Sequence, residues 1–383
     1  MEKTIAVLGA TGSVGMQALD VARARGMRVD LISANRDVLA LEAAAREFKP
    51  TYAVMADEGA ARELRLRLSD TDIEVTGGQS SLACAIAQSR AETVVNSILG
   101  GAGLLPSLAV IDSKKRLALA NKESLVIAGD IVMQRARAVG VPIIPVDSEH
   151  CAIFQSLTSG KKSEVKRIIL TASGGPFYGY TKKELLGVTL GDTLNHPTWK
   201  MGKKITVDSA TLMNKGFEII EAVHLFGIAP EKITVTVHRE SILHSAVEYI
   251  DNSIIGEFSV PDMRMCVQYA VDYPDRCPSV AEELDLFKVG ELTFREPDYQ
   301  AFPFLNLAKC AVKLGGACPA VMNAADEVAV EAHLSGKLSF VGIMDTVMAV
   351  CDKLFECAQG EGALDGILAL DKEARELTRA LIG

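Results

Sequence analysis

Two carboxylates flank a serine in the stretch PVDSEHCAIFQ, directly after the apolar run of residues 141–146. In an extended segment the side chains of Asp147 and Glu149 would leave the chain on the same side and could share one cation. Carboxylate oxygens suit a hard ion such as Mg²⁺ or Mn²⁺, which usually keeps positions open for water or substrate. For this stretch alone the alternative is a solvated Asp-Ser helix cap with His150 merely packed. A third acid is needed to decide between the two.

That acid lies in the segment VDSATLMNKGFEIIEAVHLFG. Its apolar residues recur at helical spacing and predict a stripe made of Leu212, Ile219, Ile220, Val223 and Phe226. Asn214, Lys215 and Glu218 would share the opposite face, with the Ser209 hydroxyl at the helix start. Such a helix resembles an anion clamp beside a metal ligand. The alternative is an ordinary amphipathic helix with a solvated polar face.

The segment between these motifs is TASGGPFYGYTKKELLGVTLGDTLNHPTWKMGKK, glycine-rich at its start and basic further on. It suits a mobile lid over roughly residues 173–203 that carries Trp199, the only tryptophan. Ser173 and the amides of the following glycines could bind a phosphate, and His196 could donate to the same anion. The alternatives are a plain Gly-Gly-Pro turn and a core tryptophan.

A glycine-rich stretch, GATGSVG at residues 9–15, follows the first apolar run and precedes a helix expected to begin near Ser13. Glycines there let the backbone approach a pyrophosphate at the helix N-terminus, so the stretch predicts a dinucleotide site. The second run ends in SANRD, with Asn35 and Arg36 where an NAD-specific fold would carry an acid. An arginine favours the 2′-phosphate of NADP, although Asp30 keeps NAD open.

The elements that would position these groups alternate between short β-branched runs and helical patterns. The runs cover residues 4–8, 29–33, 52–55, 73–76, 93–98, 117–120 and 143–146. Between them, DVLALEAAAREF and SLVIAGDIVMQRARAVG have helical spacing, the second closing on Gly140. This alternation predicts a doubly wound parallel sheet.

Length and charge narrow the class of protein. A chain of 383 residues suggests two or three domains at roughly 150 residues each. A net charge of -9 supplies no basic face for nucleic acid or for an anionic membrane. The eight cysteines form no Cys-x-x-Cys pair, and the chain opens on a strand without room for a leader, so we expect reduced thiols in the cytoplasm. The uncharged run 94–111 is broken by Asn96, Pro106 and glycines, unlike a bilayer span.

Together the motifs resemble the 1-deoxy-D-xylulose 5-phosphate reductoisomerase family over essentially the whole chain. The resemblance rests, in order, on GATGSVG, LALANKESLV, VDSEHCAIFQ, TASGGPF, HPTWKMGKKITVDSATLMNKGFE, PDMR and FPFLNLAKCAVKLGGACPAVMNAADEVAVEAHL. It implies an α/β fold with an N-terminal Rossmann-like doubly wound parallel sheet, a central α/β catalytic domain with a lid loop, and a C-terminal α-helical domain. The predicted limits are 1–147 for the NADP-binding domain, 148–285 for the catalytic domain, 286–300 for a linker and 301–383 for the helical domain.

The resemblance also implies a reaction and a homodimer. The family converts 1-deoxy-D-xylulose 5-phosphate and NADPH to 2-C-methyl-D-erythritol 4-phosphate in the non-mevalonate isoprenoid pathway. A carbon–carbon rearrangement gives an aldehyde, which NADPH reduces, and a divalent Mg²⁺ or Mn²⁺ ion is required. Chemistry agrees, because moving a carbon fragment through enolate-like charge needs a Lewis acid in a dry site.

Site residues follow by matching the family's motifs. The implied metal ligands are Asp147, Glu149 and Glu218, which with Lys122 form the catalytic set. The implied substrate contacts are Lys122, Ser148, Glu149, Ser173, His196, Trp199, Ser209, Asn214, Lys215 and Glu218. The implied cofactor contacts are Thr11, Gly12, Ser13, Val14, Ala34, Asn35, Arg36, Asn121, Glu123 and Gly202. Cys151, His238 and His244 are interpreted as packing residues.

Departures from the family pattern fall at Ala10, Val14, Thr198 and Asp326, none of them an implied metal or phosphate ligand. They leave cofactor affinity and the detail of the helical domain open. Two other functions share part of the pattern. A metal-independent NADP-dependent semialdehyde or hydroxy-acid dehydrogenase would keep full activity after chelation. A non-catalytic NADP-binding regulator would turn over nothing, and a buried cluster of unused acids would cost it stability.

Overall fold

The computed structural model describes residues 3–199 and 201–383 of the chain. They fold into two compact units. The first contains the chain up to Ser124 together with Val132–Cys151 and Asp262–Glu282, and the second contains Leu125–Ile131, Ala152–Pro261 and Glu283–Gly383. Among the described residues, no helix combines the length and apolar character needed to cross a membrane.

The first unit is built on a seven-stranded parallel sheet. Its strands are β1 (Thr4–Leu8), β2 (Arg28–Ala34), β3 (Tyr52–Met55), β4 (Glu74–Gly77), β5 (Thr93–Asn96), β6 (Arg116–Leu119) and β7 (Ile143–Pro145). They lie in the order β4-β3-β2-β1-β5-β6-β7, and every neighbouring pair is parallel. The predicted doubly wound sheet is therefore confirmed, with the change of strand order between β1 and β5. Ligands of such sheets bind at the carboxyl ends of the strands beside that point.

In the described chain, six α-helices connect these strands, and a seventh follows β7. They are α1 (Ser13–Arg25), α2 (Val38–Phe48), α3 (Glu58–Arg67), α4 (Gln79–Gln88), α5 (Leu104–Asp112), α6 (Glu123–Val139) and α7 (Ser148–Ser156). Helix α6 ends at Gly140, whose φ of 71° is the left-handed cap conformation, as the sequence predicts. The β-branched strand residues are buried on both sides because helices cover both faces, which is why they read as continuous apolar runs.

The rest of the chain begins with a long strand and ends in helices. Its elements are β8 (Val165–Ala172), α8 (Lys182–Leu185), α9 (Leu190–Thr193), α10 (Lys203–Ala210), α11 (Met213–Phe226), β9 (Ile233–Val237), β10 (Leu243–Tyr249), β11 (Ile254–Phe258), α12 (Met263–Asp272), α13 (Leu286–Val289), α14 (Phe304–Leu314), α15 (Cys318–Leu334), α16 (Phe340–Ala358) and α17 (Leu364–Ile382). Four strands form a sheet in the order β11-β10-β8-β9. Helices α15, α16 and α17 pack on one another and form the expected C-terminal helical region.

Helix α12 belongs to the first unit, although the sequence places it in the catalytic domain. Its last residue, Asp272, is 1% exposed and accepts hydrogen bonds from Lys3 Nζ at 3.2 Å and Arg25 Nε at 3.2 Å. A buried carboxylate held by two cations fixes α12 against α1. The three-domain division stays a prediction, since the observed units cut the chain differently.

Candidate active site

The loop after β1 has the backbone that a dinucleotide site needs. Gly9 has a φ of 77°, and a Cβ there would lie 2.8 Å from the carbonyl oxygen of Ser97. A Cβ on Gly15 would lie 2.1 Å from the carbonyl oxygen of Gly9, so both positions require glycine. Helix α1 starts at Ser13, as predicted. Its N-cap residue is Gly12, which has no side chain to accept a hydrogen bond from the amides of the first turn. Thr11, Gly12, Ser13 and Val14 thus surround a helix N-terminus able to bind a phosphate.

Asn35 and Arg36 are exposed directly after β2. The Arg36 side chain is 78% exposed, with Nε 3.3 Å from Asp57 Oδ2. An exposed guanidinium at this edge suits the 2′-phosphate of NADP. Ala34, the last residue of β2, is buried beside them.

Asp30 has a structural role. Its carboxylate is 1% exposed and accepts hydrogen bonds from Thr51 Oγ1, Ser89 Oγ and the Arg90 amide, each at 2.7 Å. Burial acts to raise its pKa, but the hydrogen bonds outweigh burial and lower it. An acid fixed near the start of β2 is far from the strand end where a ribose would bind. Asp30, which left NAD as an alternative to NADP in the sequence, therefore has no role in binding the cofactor.

The turn after β6 brings Asn121, Lys122 and Glu123 to the same edge of the sheet. The Asn121 side chain is buried and donates to the carbonyl oxygens of Ile98 at 2.7 Å and Gly100 at 2.9 Å. Lys122 is buried, and its Nζ lies 2.7 Å from Asp147 Oδ2. Two neighbouring strands, β6 and β7, thus deliver a lysine and an acid to one point.

Asp147 caps a helix instead of lying in an extended segment, so that expectation was wrong. Its Oδ1 accepts from the amides of Glu149 at 3.2 Å and His150 at 3.3 Å, because α7 begins at Ser148. The cap is not the solvated one of the alternative interpretation, since the Asp147 side chain is only 10% exposed. Ser148 Oγ donates to Glu149 Oε2 at 2.5 Å.

The Asp147 carboxylate is held ionised. Burial acts to raise its pKa, but the Lys122 ammonium and the His150 ring, whose Nδ1 lies 2.9 Å from Oδ1, lower the pKa well below the ordinary value of 3.8. A carboxylate that stays charged while buried is a suitable donor for a hard cation. The sequence indicates only packing for His150, whereas in the structure the His150 ring contacts and orients the Asp147 carboxylate.

In the second unit, Ser209 lies near the end of α10, so its predicted place at the start of the Glu218 helix was wrong. The break comes at Leu212, whose φ of 59° is left-handed, and α11 begins only at Met213. The alternative interpretation of this helix, with a solvated polar face, is wrong for Lys215 and Glu218, whose side chains are 4% and 1% exposed. Glu218 accepts from Asn214 Nδ2 at 2.5 Å and pairs with Lys215 Nζ.

His196 bridges two hydroxyl groups. Its Nε2 lies 3.0 Å from Ser173 Oγ and 3.1 Å from Ser209 Oγ. Its Nδ1 accepts from the amides of Thr198 at 3.2 Å and Trp199 at 2.9 Å, so the ring proton sits on Nε2. Burial, aided by the Arg239 guanidinium, lowers the pKa of His196 to about 4. At neutral pH the ring is therefore an uncharged donor between two serine hydroxyl groups, an arrangement that can donate hydrogen bonds to an anion.

The glycine turn after Ser173 is tight. Gly174 and Gly175 have φ values of 77° and 62°, and a Cβ on Gly175 would lie 2.8 Å from the Ser209 carbonyl oxygen. Arg239, which the sequence analysis missed, donates to the carbonyl oxygens of Ser173 at 3.3 Å and Gly175 at 2.7 Å. It lies in the loop after β9, and its only sequence signal was its place next to His238.

Trp199 is half-buried, with its ring centroid 6.3 Å from that of His244. Between Ser173 and Lys203 the chain forms only the two short helices α8 and α9, and Lys200 lies outside the described residues. Gly202 is exposed and caps α10. The lid stays a prediction.

The three residues interpreted as packing residues are buried, as predicted. Cys151 and His244 are 2% and 5% exposed. His238 is fully buried, its Nδ1 2.9 Å from the Thr293 carbonyl oxygen, while its Nε2 accepts from the amides of Ile242 and Leu243. Each nitrogen of that ring is used within the protein.

A glycine-rich loop leading into a helix at the switch point of a parallel sheet, with a cluster of uncharged hydrogen-bond donors in a second unit, is the organisation of a nicotinamide-dependent oxidoreductase. Family models agree: the 1-deoxy-D-xylulose 5-phosphate reductoisomerase model matches residues 5–129, and two models of its C-terminal domains match residues 143–226 and 258–377. The chain belongs to the 1-deoxy-D-xylulose 5-phosphate reductoisomerase family.

Named relatives are similar over their full length. The 1-deoxy-D-xylulose 5-phosphate reductoisomerase of Acetivibrio thermocellus is 50% identical over 382 residues, covering 100% of both chains. That of Symbiobacterium thermophilum is 47% identical, covering 99% of this chain and 98% of its own.

Solved structures agree in fold. The Zymomonas mobilis enzyme in complex with NADPH has a TM-score of 0.93 at 41% identity, covering 100% of this chain and 99% of that one. A DOX-P reductoisomerase in complex with NADPH, fosmidomycin and magnesium has a TM-score of 0.94 at 37% identity, covering 99% and 98%. The predicted family and fold class are confirmed.

Proposed function

We infer that this chain converts 1-deoxy-D-xylulose 5-phosphate to 2-C-methyl-D-erythritol 4-phosphate, with NADPH as reductant and a divalent metal ion as cofactor. The observation that carries this conclusion is the full-length identity of 50% to a reductoisomerase. NADPH supplies the hydride that reduces the rearranged aldehyde. The metal-independent dehydrogenase is not favoured, since relatives that are 50% and 47% identical carry the reductoisomerase name and one solved structure of that name contains magnesium.

We propose Asp147, Glu149 and Glu218 as the metal ligands. All three are carboxylates, and Lys122 and His150 lower the pKa of Asp147 so that it stays ionised. The donor set therefore fits Mg²⁺ or Mn²⁺. When bound, the ion supplies Lewis-acid polarisation of the substrate's carbonyl and hydroxyl oxygens. Lys122 and Lys215, each paired with one of these acids, keep the carboxylates oriented and partly neutralised. Lys122 and Ser148 would also contact the sugar oxygens.

We propose that the substrate phosphate binds between Ser173, His196, Ser209, Asn214 and Lys215. The neutral His196 ring donates through Nε2, and the two hydroxyl groups beside it can turn toward the same anion. Lys215 supplies the positive charge that a phosphate of about -1.5 to -2 needs. The cofactor would be held by the loop residues 11–14, by Ala34, Asn35 and Arg36, and by Asn121, Glu123 and Gly202.

A single assay tests the function and its metal dependence. We expect NADPH oxidation with 1-deoxy-D-xylulose 5-phosphate in the presence of Mg²⁺ or Mn²⁺, and a loss of at least about a thousandfold after exhaustive chelation, because the ion carries the developing charge. Restoring the metal should restore the rate. Full activity in the chelated enzyme would favour the simple dehydrogenase, and no turnover under any condition would favour the regulator.

We propose that residues 173–203 form a lid that closes over the substrate and carries Trp199. Support comes from the left-handed glycines at its entrance and the sparse helical structure within it. A closed lid would exclude water and strengthen the electrostatic interactions inside the site.

Ligand binding should change the fluorescence of Trp199, which is the only tryptophan. A phosphonate substrate analogue with metal and NADPH is expected to shift this emission and to protect residues 174–179 from proteolysis. Trp199→Ala should raise the Michaelis constant of the substrate. A core role predicts instead unchanged emission, unchanged cleavage, and a fold destabilised by about 3 to 5 kcal/mol on truncation.

We propose a cytoplasmic homodimer. Strand β11 is an edge of the second sheet, and it exposes Ile254, Ile255 and Phe258 at 56%, 38% and 47%. Exposed apolar side chains on an unpaired edge are typical of a strand that another chain covers. All eight cysteines are free thiols, as expected in the cytosol.

A further inference from the structure

Two buried acids share one lysine where α10 packs on α15. Lys204 Nζ lies 2.6 Å from Asp208 Oδ2 and 3.0 Å from Asp326 Oδ2. Asp208 and Asp326 are 4% and 0% exposed, while the Lys204 side chain is 28% exposed. The three residues, here called the α10–α15 cluster, lie outside the proposed metal, phosphate and cofactor sets.

The charges of this cluster do not balance if both acids are ionised, since two carboxylates face one ammonium group. Among the described residues, Glu327 on α15 also acts on Asp208: it adds negative charge and is paired with Arg375 of α17 at 2.7 Å. From α11 the cluster meets the Phe217 ring, 5.4 Å from Lys204 Nζ. On α9 the acid is Asp192, whose carboxylate accepts a hydrogen bond from the Thr189 amide at 2.9 Å. An unbalanced buried charge is costly, so one proton is expected to neutralise it.

Hydrogen bonding points the same way. In the part of the chain that the structure describes, the Oδ1 atoms of Asp208 and Asp326 have no hydrogen-bond partner, although both are buried. A buried acceptor without a donor destabilises the fold, and a carboxyl proton would provide a donor.

We propose that Asp208 and Asp326 share one proton, and that the neutral cluster they form with Lys204 positions α10, and with it Ser209, for the substrate phosphate. The link is direct in the chain, because Ser209 follows Asp208. Ser209 Oγ contacts His196, and the Ser209 carbonyl oxygen lies under the Gly175 turn. A shift of α10 would therefore move two groups of the phosphate site. The substrate part of this inference rests on the proposed function.

The pKa directions agree with this assignment. Burial and the neighbouring Asp326 raise the pKa of Asp208 to about 8, and burial raises the pKa of Asp326. Since the ordinary value is 3.8, the folded protein holds a proton that the unfolded chain releases. The stability that this proton contributes to the folded state is fully present below about pH 4 and is lost as the pH rises toward about 8. Above that range the cluster is charged and its hold on α10 is weaker.

The variant Asp326→Asn tests the proposal, because asparagine leaves one acid for one lysine and has no proton to lose. Compared with this variant, the wild type should lose thermal stability more steeply between about pH 4 and about pH 8. The ratio of the wild-type to the variant Michaelis constant for 1-deoxy-D-xylulose 5-phosphate should rise about fivefold from about pH 7 to about pH 9, with kcat little changed. Asp208→Asn provides a second variant with the same expected stability profile. Glu331→Gln, an exposed acid on α15, is the matched control and should follow the wild type.

The stability profile needs no turnover, so it tests the shared proton even if the proposed function fails. Equal pH slopes in the wild type and in both asparagine variants would overturn the shared proton. A steeper wild-type stability slope with a constant ratio of Michaelis constants would overturn the positioning of Ser209, because a merely structural cluster would change stability alone.

Discussion

Glu218→Gln is expected to lower turnover about a thousandfold, equivalent to about 4 kcal/mol of transition-state stabilisation. Glutamine keeps the shape of the side chain but removes the charge that we propose to hold the metal ion. A neutral ligand weakens the attraction for the cation and hence the stabilisation of negative charge as the substrate rearranges. Glu218 is also the partner of Lys215, so the same change would loosen the phosphate clamp.

The measurement is steady-state NADPH oxidation at saturating metal, together with the NADPH dissociation constant. That constant should be unchanged, because the predicted nucleotide loop lies in the first unit. Glu248→Gln is a matched control: Glu248 is also a buried acid of the second unit, paired with Lys166 at 2.8 Å and Arg167 at 2.5 Å, but it lies on β10. Wild-type turnover of Glu218→Gln at saturating Mg²⁺ would remove Glu218 from the metal site.

Local signals in the sequence were enough to predict the nucleotide-binding fold. Each strand of the first sheet is a short β-branched run, and strand ends agree within two residues because turns and helix caps mark them. The Gly9 and Gly15 positions could be predicted since only glycine permits the close backbone contacts observed there.

The turn at Asp147 shows where local signals fail. An acid followed by a serine fits both an extended metal-binding segment and a helix cap, and the sequence alone does not separate them. The fold selects the cap, yet it also buries the carboxylate beside Lys122, a residue 25 positions earlier in the chain. Asp147 therefore caps the helix through Oδ1 and pairs with Lys122 through Oδ2, an arrangement that neither interpretation contains.

The break between α10 and α11 was equally hidden. A left-handed residue at a helix junction is usually glycine or asparagine, whereas here it is Leu212. Tertiary packing outweighs this local preference, since Leu212 is 4% exposed. Contacts between distant segments, such as Arg239 with the glycine turn or Asp208 with Asp326, leave no local pattern at all. These arrangements decide the charges in the site, and only the structure reveals them.

Lys215→Ala is expected to lower kcat/KM for 1-deoxy-D-xylulose 5-phosphate about a hundredfold or more, near 3 kcal/mol, while NADPH binding stays unchanged. The side chain is 4% exposed, so its ammonium group lies in surroundings where an ion pair is screened weakly. Removing it takes away the one buried cation that we assign to the phosphate and leaves the Glu218 carboxylate without its lysine. Repulsion between that carboxylate and the phosphate would then oppose binding directly.

Two variants separate the loss of charge from the loss of packing. Lys215→Met keeps the length of the side chain without its charge. If Lys215 binds the phosphate, kcat/KM of this variant should therefore fall about as much as that of Lys215→Ala. Lys166→Ala removes a half-exposed lysine of the same unit and should behave as the wild type. Titration with a phosphonate substrate analogue gives the affinity apart from turnover, and we expect it to weaken about as much as kcat/KM falls. If the NADPH dissociation constant rose instead while the dependence on substrate stayed constant, Lys215 would belong to the cofactor site. The phosphate would then have to be bound by His196, Asn214 and the two serines without a lysine.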